Sequence, residues 1–122
     1  MIIETTSGTT PEGAWQVETY VVKGSPTAVD GMLLLTAGRW STLYFVPGSA
    51  GPWASAEAGA YRIEGDTLTF YHRLLFQGGG ASALEINQTA DRVEVCTVQV
   101  DGPRMAISFP SGNTLHCQRF ES

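Results

Sequence analysis

Residues Gly59–Phe76 read GAYRIEGDTLTFYHRLLF, and the architecture follows from them. Two runs rich in aromatic and β-branched residues flank Gly65-Asp66, a pair suited to the two-residue loop of a β-hairpin. A loop of that length fixes the register: Ile63 faces Leu68, Tyr61 faces Phe70 and Gly59 faces His72. Side chains alternate across a strand, so Tyr61, Ile63, Leu68, Phe70, His72, Leu74 and Phe76 share one face. Arg62, Thr67, Thr69, Tyr71 and Arg73 share the other. The first set is predicted to look inward.

The same grammar repeats on both sides of this hairpin. Strand-like runs are predicted at Trp15–Lys23, Met32–Thr36, Trp40–Val46, Ala58–Ile63 and Thr67–Phe76. Ala83–Asn87, Val93–Val100, Met105–Phe109 and Thr114–Phe120 follow. None carries a sustained helical period. Ala37-Gly38, Asp101-Gly102 and Ser111-Gly112 are read as further two-residue turns. Pro47–Trp53 and Gln77–Ala81 are longer breaks, and Ser55–Ala58 is read as one helical turn. Residues 1–12 form a polar lead-in. With no internal repeat and no linker, residues 1–122 are expected to form one domain. A chain of hairpins must dispose of its strand edges, and closure does so fully. The expected fold is all-β: a single antiparallel up-and-down β-barrel of about eight to ten strands, with an open sandwich as the alternative.

The opening Gly13-Ala14-Trp15 on the first strand resembles the Gly-x-Trp signature of the lipocalins and their calycin relatives. GMLLLTAGRWS (Gly31–Ser41) and GAYRIEGDTLTF (Gly59–Phe70) are similar to the small bacterial lipocalin-like domains. The resemblance runs from Gly13 to Phe120. It implies a lipocalin-like barrel with Trp15 at the closed base and Arg119, on the last strand, packed across its indole.

Composition narrows the function classes. The chain has 122 residues, 43% of them hydrophobic, enough for a core of its own. A formal charge of −5, with seven scattered Lys and Arg, argues against nucleic acid. No apolar run approaches the roughly 20 residues that span a bilayer. Met1–Gly13 has neither a basic start nor an apolar stretch, so no secretory signal is read there and a cytoplasmic location is expected. In such a chain Asn87-Gln88-Thr89 is a chance match to a glycosylation acceptor. No phosphate-cradling glycine loop, dinucleotide fingerprint or Ser-His-Asp order is present, and no cofactor is expected. Gly78-Gly79-Gly80 reads as a flexible loop.

The same parity argument places Cys96, Val98, Met105, Ile107, Phe109, His116 and Phe120 on the inner face, pairing Val98 with Met105 and Ile107 with His116. Cys117 and Arg119 then point outward. Leu33, Leu35, Trp40, Thr42 and Tyr44 share a face whose orientation the pattern leaves open, because the opposite face is nearly as apolar. Cys96 and Cys117, on opposite faces, are expected to be free thiols. Adjacent strand residues cannot reach one ion together, so no metal site is expected from His72, Cys96, His116 and Cys117.

An eight-stranded barrel is just wide enough to hold one small ligand or to be filled by side chains. Trp40, Tyr44, Trp53, Tyr61, Phe70, His72, Met105 and His116 are the expected ligand-binding residues, with Trp53 either a lid over the mouth or a cap on the core. His72 and His116 are candidate acid–base groups or polar anchors; the alternative is two half-buried histidines satisfied by neighbours. Glu57 lies diagonally across from His72 and would orient its imidazole, although a loop carboxylate in water is the preferred reading. The leading function is binding of a small, largely apolar or amphipathic molecule. The runner-up is a cofactor-independent cyclase or isomerase in which His72 or His116 moves protons with Tyr61. A structural barrel acting through its outer face is the third. A homodimer is left open.

Overall fold

The computed structural model describes residues 10–46, 53–79, 82–87 and 92–120. Its strands are β1 (Gly13–Val22), β2 (Ser25–Thr36), β3 (Arg39–Val46), β4 (Trp53–Glu64) and β5 (Thr67–Gly79). β6 (Ser82–Asn87), β7 (Arg92–Asp101), β8 (Arg104–Ser108) and β9 (Thr114–Arg119) complete the set. The ladder runs β4-β3-β2-β1-β9-β8-β7-β5, and β5 pairs back onto β4, closing an eight-stranded antiparallel up-and-down barrel. β6 and β7 run in one direction along the same edge of β5: β7 pairs with Thr67–His72 and β6 with Leu75–Gly79. They fill a single place in the barrel wall. Among the described residues there is no helix.

The Gly65-Asp66 hairpin has the expected register, with Tyr61 opposite Phe70 and Ile63 opposite Leu68. Ala37-Gly38 also forms its turn, with φ of 52° and 77° at the two central residues. Two consecutive positive φ angles match the right-handed twist of the flanking strands, as a type I′ turn requires. Trp40, Thr42 and Tyr44 of β3 then face inward alongside Leu33 and Leu35 of β2.

Several expectations are corrected. β2 begins at Ser25, because Lys23-Gly24 makes a tight turn that the reading passed over. Ser55–Ala58 lies inside β4 and is extended, not helical. Gly78 and Gly79 end β5 as strand residues. The β7–β8 turn is Gly102-Pro103, which pairs Val98 with Ile107 rather than with Met105. That slip of two residues preserves parity, so Cys96, Val98, Met105 and Ile107 are all buried. The β8–β9 connection is different. Phe109 donates its N–H to Asn113 and accepts from Gly112, which has φ of 92°. The loop therefore has one residue more than the assumed pair, ending on a left-handed glycine. Ile107 pairs with Leu115, not His116. Every side chain of β9 changes face: Leu115 and Cys117 are buried, and His116 and Phe120 are exposed.

Another extra residue sits in β5. Gly59 pairs with His72 but Ala58 pairs with Leu74, leaving Arg73 as a bulge. Beyond it the face alternates out of step, so Leu74 and Phe76 are about half exposed instead of inward. Residues 1–9 of the lead-in, 47–52 of the first long break, Gly80-Ala81 of the second and Gln88-Thr89 of the acceptor motif lie outside the described residues.

The base of the barrel is packed. Trp15, Leu35, Leu68 and Ile107 are fully buried there, each side chain contributing on the order of 1.5–3 kcal/mol. The Arg119 guanidinium lies 4.1 Å over the Trp15 ring. Its two terminal nitrogens donate to the carbonyls of Glu12 and Thr10, and Trp15 Nε1 donates to Pro11. Tyr61 Oη donates to Glu12 at 2.5 Å. The end of the lead-in is thus tied across the base.

Candidate functional site

Opposite that base the barrel is not filled. A cavity of about 410 Å³ is walled by Tyr20, Leu33, Trp40, Tyr44, Phe70 and Phe109, with Val46 and Trp53 from the ends of β3 and β4. The aromatic wall is ordered by ring contacts. Trp40 meets Phe70 edge-on at 4.9 Å, and Phe70 stacks with Phe109 at 6.3 Å. Asn113 donates to the Tyr20 hydroxyl at 3.1 Å. Gly59 sets the position of Trp40. A Cβ there would fall 1.8 Å from the Tyr71 carbonyl and 2.9 Å from Trp40 Nε1. That indole nitrogen donates to the Tyr71 carbonyl at 3.3 Å.

One charged cluster interrupts the apolar wall. His72, 6% exposed, is held between two carboxylates. Nδ1 is 3.0 Å from Glu57 and Nε2 is 2.7 Å from Glu94. Arg92 approaches the same oxygens from the mouth, at 3.5 and 3.9 Å. Register explains the assembly: Gly59 pairs with His72, which brings Glu57 near it on the same face, and Arg92 and Glu94 pair with His72 and Phe70. Burial alone would push the imidazole pKa down. The hydrogen bonds to Glu57 and then Glu94 overcome this and push it up to about 9. At neutral pH His72 is an imidazolium, and both N–H groups donate to carboxylates. Glu94 is held below the usual carboxylate range, first by its bond to His72.

Thr42 stands directly opposite Glu57 on β3 and lines the same cavity. Its buried Oγ1 has no hydrogen-bond partner among the described residues. Tyr44, one inward position along, has its phenol pKa raised by burial, then by nearby Cys117 and Glu57. The nearby Thr42 hydroxyl pulls the other way, although it meets neither Tyr44 nor any other described residue at full hydrogen-bonding geometry.

Of the residues expected to bind a ligand, the cavity gathers Trp40, Tyr44, Trp53, Phe70 and His72, together with Glu57. Glu57 faces inward, against the preferred solvent reading, because β4 extends through it. The others do not gather. Tyr61 is buried at the base on Glu12. Met105 is buried in the packed core away from the large cavity. His116 lies on the outer wall, beside Met105 and Cys117 at a shallow pocket of about 150 Å³. Cys96 and Cys117 are free thiols, although both face inward and not opposite ways. β8 separates their strands, a spacing of about 9–10 Å that no disulfide spans. Burial pushes each thiol up to about 12.

The sequence reading missed Glu94, Arg92 and Thr42 as site residues. Glu94 and Arg92 share parity with Cys96 and Val98, so extending the inward set of β7 by two residues at a time finds both. Compared with known protein families, curated proteins and solved structures, the chain matches none.

Proposed function

We propose that this is a lipocalin-like barrel that binds one small, largely apolar molecule in the cavity above the Trp15 base. The observation that carries this reading is the unfilled aromatic cavity of about 410 Å³, which falls within the range of small-molecule sites. Trp40, Phe70, Tyr44 and Trp53 form its walls, and one polar cluster fixes the orientation of what enters. The stack of Arg119 on Trp15 is the further support for the lipocalin-like assignment.

The cyclase or isomerase reading asks for an acid–base group with a free nitrogen. Both nitrogens of His72 are engaged, and Tyr61 and His116 lie away from the cavity. Binding is therefore the reading we carry.

Titration with the neutral fluorophore N-phenyl-1-naphthylamine tests it, read as probe fluorescence and as quenching of Trp40 and Trp53. The expected result is saturable 1:1 binding that is lost when Ser55, 3% exposed on the cavity wall, is replaced by Phe. A probe that fails to saturate, or binds the Ser55→Phe variant equally well, would refute the proposal. Native mass spectrometry of the purified protein should then show the mass of the resident ligand.

A further inference from the structure

We infer that the cavity takes a ligand bearing a primary ammonium group, with an aromatic or aliphatic body. The assignment rests on the cavity being a ligand site and specifies what fits its polar end.

Four charges meet there: the carboxylates of Glu57 and Glu94, the His72 imidazolium and the Arg92 guanidinium. His72 is buried and bonded through both nitrogens, so it stays. Arg92 is 61% exposed at the side chain and its contacts are long, at 3.5 and 3.9 Å. An exposed pair of that kind holds its geometry weakly. A ligand cation that displaces Arg92 toward solvent leaves the buried cluster electrically balanced, as it was before. An anion would face two carboxylates, with His72 already bonded to both and the exposed Arg92 left to receive it. A neutral ligand would leave Arg92 in place and gain nothing from the carboxylates.

The orphaned hydroxyl makes the choice more specific. Among the described residues Thr42 Oγ1 is buried without a partner at hydrogen-bonding geometry, directly opposite Glu57. A buried polar atom left unpaired is costly, and such atoms in folded proteins call for an explanation. A primary ammonium has three N–H donors. Glu57, Glu94 and Thr42 supply three acceptors on neighbouring parts of one wall: Thr42 and Glu57 pair across β3 and β4, and both carboxylates converge on one imidazole. The rings of Trp40, Phe70 and Tyr44 line the same space and favour a cation near their faces. The formal charge of −5 raises the local concentration of cations and lowers that of anions.

Competition against bound N-phenyl-1-naphthylamine tests the assignment with three ligands of matched body: 2-phenylethylamine, 2-phenylethanol and 3-phenylpropionate. The amine should displace the probe at least about tenfold more effectively than the alcohol, the size expected of a charge-assisted hydrogen bond. The carboxylate should be the weakest. Glu94→Gln and Thr42→Val should each lower the ratio of amine to alcohol affinity, whereas Arg92→Ala should raise it by removing the competing cation. An amine no better than the alcohol, or a preferred carboxylate, while the probe still binds, would overturn the ammonium assignment and leave the binding barrel standing. A ratio that falls in Arg92→Ala would overturn it too, since Arg92 would then be helping the ligand. If the probe itself does not bind, the cavity reading fails and this one with it.

Discussion

Raising the pH from 6 to 9 should destabilise the protein through one residue, His72. The imidazole is raised from 6.5 to about 9 by two carboxylates that contact it at 3.0 and 2.7 Å. A group whose folded pKa lies above its unfolded value contributes stability that is complete below the unfolded pKa. That contribution fades as pH rises through the folded pKa. The window is therefore pH 6.5 to 9. At about 1.4 kcal/mol per tenfold change, the full linkage is about 3 kcal/mol. Because the ring borders a cavity open to water, about 2 kcal/mol is the realistic loss. For a chain of this size that lowers Tm by roughly 6–10 °C. Above pH 9 a second loss of the same sign begins, since the thiols of Cys96 and Cys117 are held near 12 in the fold. Measurements should stay below that point. Urea unfolding at half-unit pH steps gives the slope, and His72→Phe serves as the control that should lack it. A two-dimensional 1H–15N titration of the ring nitrogens reads the pKa directly. An imidazole that titrates at or below 6.5, or a slope that survives in His72→Phe, would refute the account of the cluster.

Other substitutions probe separate parts of the structure. Gly59→Ala places a methyl 1.8 Å from the Tyr71 carbonyl, backbone that cannot step aside, and should cost about 3 kcal/mol in urea unfolding. Arg119→Ala removes the stack on Trp15 and the bonds to the Thr10 and Glu12 carbonyls. It should cost about 2 kcal/mol and expose the chain around residue 10 to limited proteolysis. Thr42→Val replaces a buried hydroxyl that has no partner among the described residues by a methyl and should stabilise the unliganded protein by about 1 kcal/mol, in contrast to its expected effect on amine selectivity. Thiol titration of the native protein should be slow at both cysteines and should yield two thiols on unfolding, with or without reductant.

Much of this was legible because turn chemistry fixes parity. Gly65-Asp66 and Ala37-Gly38 set their hairpins correctly, and from the first of them Tyr61, Leu68, Phe70 and His72 could be assigned to the interior. Even the misplaced turn at Asp101-Gly102 did no harm, because the true register differs by an even number of residues. What the pattern could not reveal was a single added residue. Phe109–Asn113 closes around three residues where two were assumed, and His116 moved from the interior to the outer wall. No local preference separates those cases, since Pro110-Ser111-Gly112 suits either loop. Glu57 was hidden for a different reason. Its alanine- and serine-rich surroundings lack strand propensity, and it is the pairing with β3 and β5 that holds the segment extended.

The bulge at Arg73 is where pattern and structure part most usefully. Up to His72, β5 alternates in step with β4, and Leu68, Phe70 and His72 all enter the barrel. Had the alternation continued, Leu74 and Phe76 would follow them inward and occupy the space above His72. The extra residue turns both outward, where they are 49% and 51% exposed, and brings Leu75 to the inner face opposite Glu57 and Gln77 to the cavity wall. β4 carries no matching insertion, so Glu57, Ser55 and Trp53 continue along the inner face. The cost is apolar surface left in water, on the order of 1–2 kcal/mol for each half-exposed side chain. An apolar packing code read strictly would have filled this barrel from end to end. The departure falls one residue after the histidine that organises the polar cluster, and it puts Leu75 and the polar Gln77 on the inner face where Leu74 and Phe76 would have stood. A local rule broken at a calculable cost is what a site, as distinct from a core, looks like in a sequence.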